Sequence, residues 1–287
     1  MGLWDDLKMQ YRMGGITQRL IFWNIGVFLV SLIFYEFRLG TFIFPDWLAL
    51  SSDPLVLAIH PWTLLTYAFL HSGFLHLLFN MLVLNYAGML FLTFFKEKQL
   101  VGLYILSAIF SGIIFCGAYF LMGRVSIIVG ASAAIMAILV AATTYSPHMP
   151  IRLLLIGRVQ LWHMTAVILI IDLMQLMIEN TGGHISHLAG AFFGFTYIKL
   201  LQTGTDLSKI VTGTVDGVLR MFKPSQPKPF KKVHRNYNTQ PRSTTASKTA
   251  VKDKKQQQID EILDKISRSG YDSLTQQEKD FLFNAGK

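Results

Sequence analysis

Charge is what this chain of 287 residues has least of. Asp, Glu, Lys and Arg make up 15% of it against 52% hydrophobic residues, and the mean hydropathy is +0.42, a balance that excludes an ordinary soluble domain of this size. Cysteine is nearly absent: Cys116 stands alone inside an apolar run, so an intramolecular disulfide is excluded. There is no His-Glu-x2-His, the commonest helix-borne signature of a metalloprotease. No nucleic-acid-binding motif and no internal repeat accompany the net charge of +9. Small residues are missing from Glu36-Phe37-Arg38-Leu39, where a cleaved signal peptide would need them, so the first apolar run reads as a retained signal anchor. Asp6 likewise stands where N-myristoylation requires Ser or Thr.

Long apolar runs are what the chain does have. Phe74–Phe95 and Leu100–Met122 carry no formal charge and exceed the ~18 residues needed to span a bilayer. Leu20–Tyr35, Leu161–Ile178 and Ile185–Ile198 are weaker candidates, and a short helix over Ser132–Tyr145 makes six. The expected class is therefore all-α: a polytopic membrane bundle over residues 1–200. Loop charge sets its orientation. Lys8, Arg12, Arg19, Lys96, Lys98, Arg152 and Arg158 flank one side, while the alternate loops carry Arg38 and Arg124, which places both termini in the cytoplasm.

The excess of positive charge lies almost wholly beyond residue 198. Residues 201–223 repeat Leu207, Ile210, Val211, Val215, Val218, Leu219 and Phe222 at helical spacing with Lys209, Arg220 and Lys223 beside them, the pattern of a helix lying on a membrane surface and attracted to anionic lipid. Residues 224–258, rich in Pro, Lys, Ser, Thr and Gln, read as a disordered basic linker. Over 259–287 the residues Ile259, Ile262, Leu263 and Ile266 share a helical face, Ser269-Gly270 breaks it, and Thr275-Gln276-Gln277-Glu278 is a capping box opening a second helix. A pair this small buries little core and is expected to dock on something.

Ser132 follows Gly130-Ala131 at the head of a helix that Ser146-Pro147 stops after roughly 21 Å, short of a hydrocarbon core about 30 Å thick. With Pro147 near one face, Ser132 lies roughly 10 Å below the other, and the segment before it dips into the membrane, where protein or a water-filled cavity must surround it. Other polar groups occur in apolar segments: His76, Asn80, Asp172 and His187, with His71 and His184 near span ends. His76 and Asn80 share a helical face. His187, Gly190 and Gly194 share another, and a Gly-x3-Gly surface lets a neighbouring helix approach closely. A serine hydroxyl needs a base, and His187 supplies one if its helix packs on that of Ser132. The Ser132 amide, the Asn80 amide and the His76 ring are suitable donors for an oxyanion. Asp172, near Gln175, reads as a bundle-interior hydrogen bond, and His184 as a loop residue.

In these residues the chain resembles the rhomboid family of intramembrane serine proteases: His71-x4-His76-x3-Asn80, Gly130-x-Ser132 and His187-Leu188-Ala189-Gly190-x3-Gly194, across roughly residues 15–200. The resemblance implies a Ser132–His187 dyad, Asn80, His76 and the Ser132 amide as oxyanion donors, Gly130 beside them at the oxyanion and substrate-binding site, His71 in support, single-span membrane proteins as substrates and no cofactor. Ala133 stands where the family usually has glycine, Met136 where an aromatic often stacks on the histidine, Leu92 where an acid is usual, and the Trp-Arg pair of the first loop is missing around Trp47. Two other readings of the residues remain: a metal site through His71, His76, His184 and His187, and a non-catalytic binder of membrane helices. Neither substrate nor oligomeric state is encoded in a recognisable pattern.

Overall fold

Apolar helices without cap residues depend on their neighbours, and the computed structural model shows how each is held. It describes residues 2–153, 157–178, 180–222 and 249–285. Two compact units result, Met1–Pro224 and Ser225–Lys287.

The first unit begins with α1 (Leu3–Met13) and α2 (Ile16–Ser31). The Glu97 carboxylate accepts from the Ile16 N–H at 3.1 Å, so an acid from a distant helix serves the start of α2, where free N–H groups favour negative charge. A loop follows, carrying the paired strands β1 (Tyr35–Glu36) and β2 (Thr41–Phe42), then β3 (Leu50–Ser51), α3 (Pro54–Ile59) and α4 (Thr63–Thr66). The long helices α5 (Phe74–Leu92) and α6 (Glu97–Leu121) precede β4 (Ile127–Ile128), which pairs antiparallel with β3 through Leu50–Ile128 and Ser51–Ile127. That pairing ties the first loop to the segment before Ser132. α7 (Ser132–Tyr145) leads to a hairpin of β5 (Pro150–Leu153) and β6 (Gly157–Gln160), then α8 (Leu161–Gln175), α9 (Thr181–Gln202) and α10 (Ser208–Phe222).

α7 is the axis of the unit. Ala133 through Ala142 are all buried, and α5, α6, α8 and α9 pack around it. The perimeter is correspondingly apolar: Phe79, Leu82 and Met89 of α5 and Val167, Ile170, Leu173 and Met174 of α8 are exposed, a surface suited to lipid rather than water. Among the described residues, Ile16–Phe34, Phe74–Leu92 and Glu97–Leu121 are long and apolar enough to cross a membrane, and Ser132–Tyr145 and Leu161–Gln175 are shorter apolar helices. This is an all-α polytopic membrane fold.

Glycines set the closest approaches. A methyl at Gly190 would overlap the Ala133 carbonyl oxygen, and one at Gly194 that of Ala137, so α9 lies backbone to backbone on α7, as the Gly-x3-Gly spacing implied. Ala133, buried beneath this contact, is accommodated without displacing it. After α9 the chain turns through Asp206. Its carboxylate accepts from the Ser208 N–H and hydroxyl (2.9 and 2.6 Å), the Tyr197 hydroxyl (3.2 Å) and the Gln99 amide (3.1 Å), fixing α10 against α6. Burial disfavours the Asp206 carboxylate, but the Ser208 hydrogen bonds lead those that outweigh it and hold its pKa below the ordinary value.

The second unit holds α11 (Thr249–Ser269) and α12 (Gln276–Ala285). α11 starts well ahead of Ile259, where apolar periodicity begins, because its first turns are built from Ala, Lys and Gln, good helix formers with no apolar face to announce them. Of the expected linker, residues 224–248 lie outside those described. The capping box forms: the Glu278 carboxylate accepts from the Thr275 N–H at 2.7 Å, and Lys265 of α11 closes on it at 2.9 Å.

Candidate functional site

Ser132 is the first residue of α7, so its N–H has no acceptor within the helix. The turn before it depends on Gly130, whose φ of +139° lies in a region closed to residues with a Cβ. Its N–H donates to the Tyr67 carbonyl at 2.9 Å. Tyr67 is itself anchored, its hydroxyl donating to the Ala108 carbonyl of α6 at 2.9 Å, while the Tyr104 hydroxyl returns a bond of 2.8 Å to the Ala68 carbonyl. Two buried tyrosines therefore hold the segment before Ser132 to α6.

The Ser132 hydroxyl lies 2.7 Å from Nε2 of His187, across the close-packed α7–α9 contact. On its other side the His187 ring meets Asp172 of α8, Nδ1 to Oδ1 at 2.9 Å. The same oxygen lies 2.7 Å from Nδ1 of His184. His184 is therefore no loop residue. α9 begins at Thr181 and takes His184 and His187 onto one face, three residues apart. Gly182-Gly183 looks like a helix break in sequence, but Gly182 is there for space, since a Cβ would lie 2.7 Å from the Phe115 ring.

His76 lines the same cavity as His187. The Ser72 N–H points at its Nδ1 from 3.3 Å, and the Ser72 hydroxyl lies 2.9 Å from the same nitrogen. With Nδ1 as the acceptor, a neutral ring carries its proton on Nε2, and that atom is 3.1 Å from where a Cβ of Gly130 would stand. Asn80, one turn on, gives one amide hydrogen to the His76 carbonyl at 2.8 Å and keeps the other for the cavity it lines. His71 is fully buried with its ring edge-on to that of His76, centroids 5.2 Å apart. Of the four histidines weighed as metal ligands, His184 and His187 converge on Asp172, whereas His71 and His76 pair at the start of α5.

The cavity beside these groups measures about 640 Å³. Phe79 and Val83 of α5, Ile127 and Val129 before the turn, Ile135, Met136 and Leu139 of α7 and Ile168 of α8 line it, together with the polar groups of Ser72, His76, Asn80, Ser132, Asn180 and His187. An apolar wall with a few convergent polar groups is the usual make-up of a binding site. Met136, largely buried, fills the wall below Ser132 where an aromatic ring is frequent in the family that the sequence resembles.

Sequence reasoning underrated Asp172 and passed over Ser72. Leu161, Thr165 and Asp172 are the buried positions of α8, a single stripe on a helix that otherwise faces outward, and that spacing was available in the sequence as the sign that Asp172 points into the bundle. Ser72 carried the weaker signal of lying four residues before His76.

A serine hydroxyl in contact with an imidazole, at the head of a short buried helix and beside an apolar cavity, defines a polytopic membrane protein built around a polar site within its bundle. The rhomboid domain model matches residues 59–203, half of the chain, which belongs to the rhomboid family of intramembrane serine proteases. Residues 249–284, within the second unit, match a family of unknown function, DUF6576. Among curated proteins, no relative matches the chain.

Proposed function

We propose that this chain is a serine endopeptidase that cleaves single-span membrane proteins within the bilayer, with Ser132 as nucleophile and His187 as general base. The observation that carries this reading is the 2.7 Å contact between Ser132 Oγ and His187 Nε2, made by two helices whose separation the glycines of α9 fix. As Oγ attacks the scissile carbonyl carbon, its proton passes to Nε2. The carbonyl oxygen becomes an oxyanion facing the Ser132 N–H, His76 Nε2–H and the free amide hydrogen of Asn80. Collapse of the tetrahedral intermediate expels the new amine, which takes the proton from His187. Water then repeats the sequence on the acyl-enzyme, releasing the carboxylate product and regenerating Ser132. His71 supports the His76 ring by packing against it.

A substrate helix must unwind to present a peptide bond to Oγ, and the cavity flanked by α5 and α8 offers an apolar wall to the residues on either side of that bond. The basic flanks of the expected spans support an orientation with both termini in the cytoplasm of a bacterial inner membrane and Ser132 toward the outer face. α10, with Lys209 exposed beside Ile210, Val215 and Val218, lies on the inner surface against anionic lipid.

The test is cleavage of single-span candidate substrates by the purified protein in detergent, with Ser132→Ala, His187→Ala and the double variant alongside. Each single change abolishes cleavage and the double variant is little worse, because the pair acts as a unit. A fluorophosphonate labels Ser132 in the parent protein, and chelators leave activity intact. Undiminished cleavage by folded Ser132→Ala removes the reading, and loss on chelation transfers it to a metal enzyme.

A further inference from the structure

Asp172 is the feature the serine–histidine pair does not account for. α8 presents Val167, Ile170, Ile171, Leu173 and Met174 to its surroundings, yet turns one carboxylate inward, where it is 5% exposed. A lone carboxylate is expensive at membrane depth and is retained where partners satisfy it or function requires it. Here the partners are two imidazoles of one helix turn, both on Oδ1, while Oδ2 has no partner among the described residues. The whole hydrogen-bonding capacity that the carboxylate uses is thus directed at the face of α9 that carries His187.

The consequence is a choice of tautomer. His187 can take the Ser132 proton only if Nε2 is bare, which in a neutral ring places the hydrogen on Nδ1. An ionised carboxylate accepts and cannot donate, so Asp172 Oδ1 at 2.9 Å admits the Nδ1–H form alone. His184, on the same oxygen from one turn earlier, holds the carboxylate aimed at His187. Once His187 has accepted the proton, the carboxylate faces the imidazolium directly. Of the other elements around the His187 ring, α7 presents Ser132 and α5 presents His76 to the same cavity.

We propose that Asp172 is a positioning residue that completes a Ser132–His187–Asp172 relay, with His184 as the brace of its carboxylate, so that this protein works with a carboxylate-oriented base rather than a bare dyad. The inference rests on the protease reading above and specifies the group that orients its base.

The experiment uses the full chain in detergent, with kinetics and 15N spectra of histidine-labelled protein. The parent enzyme shows His187 protonated at Nδ1. Asp172→Leu lowers kcat by about 10²–10⁴-fold with KM unchanged, the range expected when a base loses its orienting carboxylate, and the Nδ1–H signature of His187 is lost. A parent spectrum with the proton on Nε2 overturns the proposal even if no Asp172 variant folds. Folded Asp172→Leu with the parent kcat overturns it too, as does a fall in kcat with the Nδ1–H signature retained. Fluorophosphonate labelling keeps the two readings apart. If Ser132 of the parent protein does not label, the protease reading fails. If it labels at the same rate in the parent protein and in Asp172→Leu, only the role of Asp172 fails.

Discussion

Gly190 and Gly194 show how much of the site depends on atoms that are not there. Each stands where a Cβ would strike a carbonyl oxygen of α7, so the distance from His187 to Ser132 is set by the absence of two methyl groups. Gly26 of α2 is the natural comparison, because among the described residues nothing beyond its own helix backbone and chain neighbours lies within 4 Å of the Cβ it lacks. Gly194→Ala is expected to destabilise the protein by about 1–3 kcal/mol, as overpacking of a close contact does. Gly26→Ala is expected to be neutral or to stabilise by roughly 0.4–1 kcal/mol through helix propensity and the unfolded chain. Melting in detergent distinguishes them, and equal melting temperatures would mean that α7 and α9 are free to separate. Because the added methyl sits between the helices carrying the proposed nucleophile and base, Gly194→Ala should also lose activity out of proportion to its stability.

At the scale of elements, local chemistry was legible where a signal is carried by neighbours in sequence. α7 begins at Ser132 and ends at Tyr145 as Gly130 and Pro147 dictate, and α5 begins at Phe74 after Gly73. The Thr275–Glu278 box is another such signal, with a measurable consequence. Hydrogen bonding from Lys265, then from Thr275, depresses the Glu278 carboxyl from 4.5 to about 2. A depressed carboxylate contributes stability that is present above its unfolded pKa and lost as pH falls through the folded one. Amide protection at the start of α12 should therefore hold at neutral pH and decline between about pH 4.5 and 2, and Glu278→Gln should abolish that dependence. A decline centred well above pH 4.5 would assign it to another group. What the sequence hid is made between elements. The pairs β1–β2 and β3–β4 are two residues per strand, too short for any alternation to register. The start of α9 was masked by Gly182-Gly183, whose role in packing against Phe115 exists only once α6 is in place. Asp172 was visible as a charge in an apolar run, but its partner was not, because a helical stripe says which way a side chain points and not what it meets.

For the whole molecule, the division of charge follows the division into units. Residues through α9 are nearly balanced in sign, and the excess that makes the chain basic lies beyond them. Every polar group around the cavity belongs to the first unit, from Ser72 to His187, and the second unit has its own pair of helices and its own ion pair, Lys265–Glu278. The rhomboid match ends at residue 203 and the DUF6576 match begins at 249, so two sequence families divide the chain much as the fold does. Catalysis and whatever the second unit does are therefore expected to be separable. Removing residues 225–287 should leave a protein that melts and cleaves in detergent as the full chain does, because Asp206, Ser208 and the α10 contact with α6 are all retained. In cells the same truncation should change which membrane proteins are cut, or where the enzyme resides, as expected of a module that docks rather than catalyses. The comparison is made with one substrate in detergent and with the profile of new termini in membranes. A truncated protein that melts normally yet no longer cleaves in detergent would show that the second unit gates the site, and the two activities would then have to be treated as one.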